Sequence, residues 1–354
     1  MATRRDSADT RNPSMVAALL GRTHPGTVRD AWWLAEFRFR LDAFARAEPD
    51  RSVQDIDSST VEKVFGHPAV GSIARADPVD SPHAWVPVRA ALGLSPQPAN
   101  TDVIADLRAT ENWPGASVYL PGTGLVYDTA TASTRSLDIV DGLELNNVDR
   151  LLVAQSDHVD TVLSDGWSTM VRAAQTFITG LGSPGFGEVS ALTTVVVPLL
   201  QRDGAAFGRS SRFEIESGSV TDAIGAAFIS PGTGEPVSFA EALIHESYHN
   251  LFNMALDLHD FAEDDSREFY APWKGTTRPT RAVLHGIVAF SAVMRFWRRI
   301  GETNSDWSEY ADEVAGRRAA EVLGAATAVA SAAALTDLGT ELIEAAITDA
   351  RLTA

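Results

Sequence analysis

The sequence predicts an α+β chain that is predominantly helical: a small, mostly antiparallel sheet, a metal-binding His-Glu-x-x-His helix packed beside it, and a helical C-terminal region. Three observations lead there. Apolar residues recur at helical spacing over 27–47, 156–181, 239–258 and 280–300. Short runs rich in β-branched residues, such as Ser117-Val-Tyr-Leu, Leu125-Val-Tyr and Leu192-Thr-Thr-Val-Val-Val, are bounded by Pro, Gly, Ser and Thr, as strands are. The last fifty or so residues are rich in alanine, the strongest helix former.

Composition narrows the function. The chain has 354 residues, 45% of them hydrophobic, enough for a packed core. It carries 29 basic against 47 acidic residues, a net charge of -18, which argues against a nucleic-acid partner. With no cysteine, disulfides, thiolate metal sites and cysteine nucleophiles are excluded, so a metal must sit on His, Asp or Glu. No apolar segment follows the basic N-terminus, and the least polar run, 322–336, is shorter than the roughly 20 residues of a membrane span. These features predict a cytoplasmic protein without a membrane partner. Residues 1–14 read as a disordered tail and 15–354 as one catalytic unit, made of an N-terminal part (15–155), a metal-binding core (156–300) and Ala-rich C-terminal helices (301–354). Oligomeric state has no signal.

Taken in order, Trp33, Phe37, Leu41 and Phe44 mark an amphipathic helix over 27–47, with Arg and Asp on its other side. Two short helical patches follow, at 61–65 and 86–92; His67 and His83, each beside a proline, read as surface histidines. A meander of short strands covers 116–140. A helix over 156–181, capped by Ser156, precedes strands at 192–197, 211–216 and 223–230. Ser238 and Glu241 then form a capping-box pattern, which predicts a helix from about Phe239. An acidic, structureless run occupies 259–268, and a second helix spans about Thr280 to Ile300. The C-terminal helix is broken near 336–339.

The predicted helix from Phe239 carries His245-Glu246-Ser247-Tyr248-His249. Four residues on a helix is about one turn, so His245 and His249 can converge on one metal ion. A catalytic metal needs a third protein ligand. Glu268 lies 268 − 249 = 19 residues past the second histidine, near the spacing of many zinc peptidases, but in a charged loop rather than a helix. His285 interrupts an apolar helical surface, and Gly286 beside it leaves room for close approach. Tyr248 and Asn250 flank the histidines and either line the pocket or pack.

The stretch from Gly225 to Trp297, with Ala240-Glu-Ala-Leu-Ile-His-Glu-Ser-Tyr-His, Tyr270-Ala-Pro-Trp-Lys and Arg278-Pro-Thr-Arg-Ala-Val-Leu-His-Gly286, resembles the His-Glu-x-x-His domain of iron(II)- and 2-oxoglutarate-dependent peptide β-hydroxylases. That family acts on ribosomally made, modified peptides. The resemblance implies Fe(II) on His245, His249 and His285, 2-oxoglutarate held by Arg278 or Arg281, and a precursor peptide as substrate. Ala282 stands where the pattern has glycine. Arginine suits the cosubstrate because its planar fork matches a carboxylate.

Two other readings remain open. In a zinc metallopeptidase, Zn replaces iron and Glu246 is the catalytic general base. In a non-catalytic peptide-binding protein the metal is structural. In the oxygenase reading Glu246 instead orients a ligand or takes a minor part in metal binding.

Overall fold

The computed structural model describes residues 13–50, 52–75, 85–92, 117–128, 133–137, 139–140, 143–146, 165–181, 189–199, 215, 217–230 and 235–353. The predicted cap Ser156, His83 and most of the strand expected at 211–216 lie outside them, as do residues 1–12; Pro13 and Ser14, read as tail, already belong to helix α1 (Pro13–Leu19).

The chain is predominantly helical α+β. In order come α2 (Gly26–Ala47), α3 (Ser58–Gly66), α4 (Pro68–Arg75), α5 (Val86–Ala91), α6 (Asp165–Gly180), α7 (Val189–Leu192), α8 (Pro236–Leu258), α9 (Thr280–Thr303), α10 (Ser308–Ala332) and α11 (Asp337–Thr353). Strands β1 (Ser117–Leu120), β2 (Leu125–Asp128) and β3 (Ser133–Ser136) form an antiparallel meander, which ends at Ser136, short of the expected 140, because Ile139 and Val140 pair in a second sheet. A five-stranded sheet has the order β4-β5-β6-β8-β7, from β4 (Ile139–Val140), β5 (Leu143–Leu145), β6 (Val195–Pro198), β7 (Ser217–Gly218) and β8 (Ala226–Ile229). Its outer ladders are antiparallel, but β5–β6 and β6–β8 are parallel. The parallel strands β6 and β8 are buried at every residue (Val195 to Pro198 and Ala226 to Ile229), as parallel strands covered on both faces should be.

Helix α8 lies on this sheet because one of its faces is made to. Ser247 Oγ is 2.7 Å from Thr193 Oγ1, and the Asn250 side-chain amide donates to Thr193 Oγ1 (3.3 Å) and to the Ala226 carbonyl (3.2 Å). Asn250 is thus a fastener to the sheet, and Tyr248, fully buried against Arg295, packs away from the histidines. The helix starts three residues earlier than its capping-box pattern suggests. Pro236 occupies the first turn, where a missing N–H costs nothing. Ser238 is therefore already inside the helix and makes no cap, while Glu241 accepts from the Trp297 indole N–H at 2.9 Å and so joins α8 to α9.

Three further expectations change. The run 259–267 is not free: Ala262 bridges Leu335, Glu263 N–H bonds the Ala334 carbonyl at 2.8 Å, and a Cβ at Gly339 would collide with the Phe261 carbonyl. After it, β9 (Glu268–Ala271) and β10 (Thr276–Pro279) form an antiparallel hairpin leading into α9. His67 is buried, not superficial. Its Nδ1 accepts the Ala69 N–H at 3.2 Å, so Nε2 carries the proton and donates to Glu144 at 3.2 Å. Burial pushes the Glu144 carboxyl up, but His67 and the hydrogen bonds from Tyr119 (2.6 Å) and Asn146 (2.8 Å) outweigh it and hold the group below the usual range. On α2, Glu36 and Arg40 are buried at 5% and 0% exposure, so that helix turns a charged pair inward beside its aromatic stripe.

The main core gathers residues from Met15 to Ala350 around α8 and α9. Among the described residues no helix is long and apolar enough to cross a membrane.

Candidate metal centre

Helices α8 and α9 pack side by side and bring three imidazoles together. His249 Nε2 is 3.0 Å from His245 Nε2, and His249 Nδ1 is 3.3 Å from His285 Nδ1. Nitrogens bound to one ion at about 2.1 Å stand about 3.0 Å apart at a right angle and about 3.4 Å apart at the tetrahedral angle. His245 and His249 therefore have the separation of neighbouring ligands of one ion. His285 meets the opposite edge of the His249 ring, so the three nitrogens do not face one point, and no ready-made group of three or more donors is present among the described residues. The donor set fits a metal in kind, and one ion shared by all three rings would require a change of side-chain torsion from this arrangement.

Burial keeps these rings in the form a metal needs. Desolvation, with the neighbouring rings and with Lys274 or Arg281, pushes His249 down to about 3, His285 down to about 4 and His245 well below the ordinary value. All three are neutral at pH 7, and a neutral imidazole is the ligand form.

Glu246 does the opposite. It is 1% exposed, and burial raises its carboxyl to about 7 against the weaker pull of Ser217, Ser219 and Lys274. Its Oε1 accepts from Ser217 Oγ, on the edge strand β7, at 2.6 Å, while Oε2 is buried with no hydrogen-bond partner among the described residues.

These shifts imply a pH dependence of stability in the metal-free protein. Unfolded histidines take up protons near pH 6.5, while the folded ones stay neutral until well below it. Acidification from pH 6.5 to 5 thus favours the unfolded chain at three residues, against one proton in the other direction at Glu246, whose folded value is raised. With chelator present, the melting temperature of the wild type is expected to fall over that range more steeply than that of His249→Gln. Equal slopes would contradict the shifts.

The remaining sequence candidates separate. Glu268 is exposed on β9 and accepts from Thr277 Oγ1 at 2.8 Å, so it belongs to the hairpin and not to the cluster. Arg278 is exposed on β10. Arg281 is exposed in the first turn of α9, its backbone N–H donating to Asp265 at 2.5 Å, with its charge near His285.

No protein-family model matches the chain, and no curated protein matches it.

The wall of the cluster holds residues that motif reasoning missed. Phe290 lies 4.7 Å from the His245 ring and 5.0 Å from Trp273, and Phe252 meets His285 edge-on at 4.8 Å. Arg318, from α10, sits 4.6 Å over Phe290. What approaches Gly286 is the Trp273 ring, which occupies the space a Cβ would need. Gly286→Ala must push Trp273 from its place. Overpacking of this kind costs about 1–3 kcal/mol, more than the roughly 1 kcal/mol gained by replacing a helical glycine. Net destabilisation in chemical denaturation is the expected result.

Proposed function

We propose that this protein is an iron(II)- and 2-oxoglutarate-dependent dioxygenase that hydroxylates the β-carbon of a residue in a ribosomally made precursor peptide, acting in the cytoplasm. The observation that carries this reading is the meeting of His245, His249 and His285, with Glu268 turned away into the hairpin. Three neutral imidazoles turned onto one ion would leave the metal its full positive charge, which suits a dianionic cosubstrate. Cationic side chains gather near the rings, Lys274 by His245 and His249, Arg281 by His285 and Arg318 by His245, in a chain whose net charge is -18. Local charge of that sign draws an anion in.

Iron with 2-oxoglutarate supplies dioxygen activation, releasing succinate and carbon dioxide and placing one oxygen atom on a carbon. The chain's own residues hold and seclude. His245, His249 and His285 would hold the metal. Phe252, Phe290 and Trp273 line the surroundings with apolar surface that limits water. Glu246, anchored by Ser217, stiffens α8 where the first histidine leaves it.

One observation favours a zinc metallopeptidase as the second reading: a buried carboxyl near 7, as Glu246 has, is what a general base needs. Incubation with iron, 2-oxoglutarate and a peptide encoded beside this gene separates the two. Succinate release with gain of one oxygen by the peptide supports the oxygenase. Cleavage that needs zinc and ignores 2-oxoglutarate would overturn it.

A further inference from the structure

Among the described residues several buried guanidinium nitrogens lack a hydrogen-bond partner: Arg40 Nη2, Arg89 Nε and both Nη atoms of Arg295. Arg40 is held by Glu36, Arg89 by Glu48, and Arg295 lies over Tyr248. Arg318 differs in lying against Phe290, which touches the histidine cluster. Its Nη1 bonds Glu321 at 2.7 Å and its Nη2 stands 4.0 Å from Glu241, but its Nε is buried with no partner among the described residues. A guanidinium binds a carboxylate side-on through its Nε and Nη2 edge. That is the edge left without a full hydrogen bond here.

Position adds to this. Phe290 touches both groups, with the Arg318 guanidinium 4.6 Å and the His245 ring 4.7 Å from its centroid. One shared neighbour keeps the two within the reach of a five-carbon diacid bound at the histidine end. The cation lies over an aromatic face and is tied to Glu321 one turn along α10, so it loses little freedom when it takes a ligand. Arg278 and Arg281 are exposed, where screening and side-chain entropy leave an ion pair weak.

We propose that Arg318, rather than Arg278 or Arg281, receives the distal carboxylate of the 2-oxo dicarboxylate, an inference that rests on the oxygenase reading. Arg318 is then what selects a diacid over a 2-oxo monoacid.

The test compares two probes, 2-oxoglutarate and 2-oxobutyrate, which lacks the distal carboxylate, by calorimetric titration into anaerobic, iron-loaded protein. Wild type should prefer 2-oxoglutarate. In Arg318→Gln the affinity for 2-oxoglutarate should fall by roughly 10- to 100-fold, as loss of a hydrogen bond between charged groups implies, while 2-oxobutyrate binding stays the same. A merely structural role would weaken both acids alike and overturns the proposal. So does loss of the preference in Arg281→Gln or Arg278→Gln with its survival in Arg318→Gln. Arg318→Lys keeps a cation over Phe290 and serves if the glutamine variant unfolds; reduced preference supports the assignment and unchanged preference refutes it. If wild type binds neither acid in a metal-dependent way, the oxygenase reading itself fails, and this assignment with it.

Discussion

His285→Ala is expected to lower iron(II) affinity by more than roughly 100-fold, because loss of an outer partner of a metal ligand alone costs roughly 10- to 100-fold. Glu268→Ala is expected to leave affinity unchanged. The contrast follows from placement: His285 Nδ1 stands 3.3 Å from His249, whereas the Glu268 carboxylate is engaged with Thr277 on an exposed strand. Anaerobic metal titration of both variants checks it. The reverse pattern, with Glu268→Ala losing the metal, would point to a ligand set like that of the zinc peptidases and would sink the three-imidazole face.

The largest expected effect on stability lies elsewhere, at Glu36. Its Oε1 accepts from Arg40 Nε at 2.7 Å and from Arg75 Nη1 at 2.6 Å, and its Oε2 accepts from Arg75 Nη2 at 2.9 Å. Arg40 is fully buried and also donates to the carbonyls of Phe65 (2.5 Å) and His67 (3.1 Å). Glu36→Ala strips the buried guanidinium of its counter-charge, and breaking such a pair costs about 3–5 kcal/mol. Arg75 fares better, since it keeps Asp257 at 3.1 Å. Through Asp257, which also accepts from the Trp32 indole, the same network grips the C-terminal end of α8. By comparison Glu302→Ala, which breaks exposed pairs with Arg298 and Arg299, should cost less than about 1 kcal/mol. Denaturant unfolding of the two variants side by side measures the difference. Equal costs would mean that the Glu36 network contributes no more than a surface pair.

Much of the fold is legible in local pattern. The helical spacing of Val283, Leu284, Ile287, Val288 and Met294 marks α9, and these side chains are indeed fully buried. The break expected near 336–339 in the C-terminal helices is present slightly earlier, between α10 and α11 at 333–336. Less legible is whatever depends on partners distant in sequence. The parallel pairing of β5, β6 and β8 joins residues 143–145, 195–198 and 226–229, and a four-residue apolar run carries no mark of strand direction. Ser238 and Glu241 have the capping-box spacing, but Pro236 starts the helix sooner and Trp297 claims the glutamate. His67 beside Pro68 has the look of a loop residue until Tyr119 and Glu144 close over it.

The candidate site divides the same way. His245 and His249 are read from one helical turn, and His285 from a polar residue on an apolar helix. Arg318 sits on a helix with no catalytic pattern of its own, and only the packing of α10 on α9 brings it over Phe290. The hairpin was hidden by Pro272 and Pro279, which read as loop, yet it sets Trp273 against Gly286.

The central claim is that these three histidines serve an oxygenase, and the source of the oxygen atom tests it most directly. Turnover of the iron-loaded protein with 2-oxoglutarate and precursor peptide under isotopically heavy dioxygen is expected to place one heavy oxygen atom in the peptide and one in succinate. A peptide product that takes its new oxygen from water, with its chain cleaved and 2-oxoglutarate unconsumed, would contradict the account.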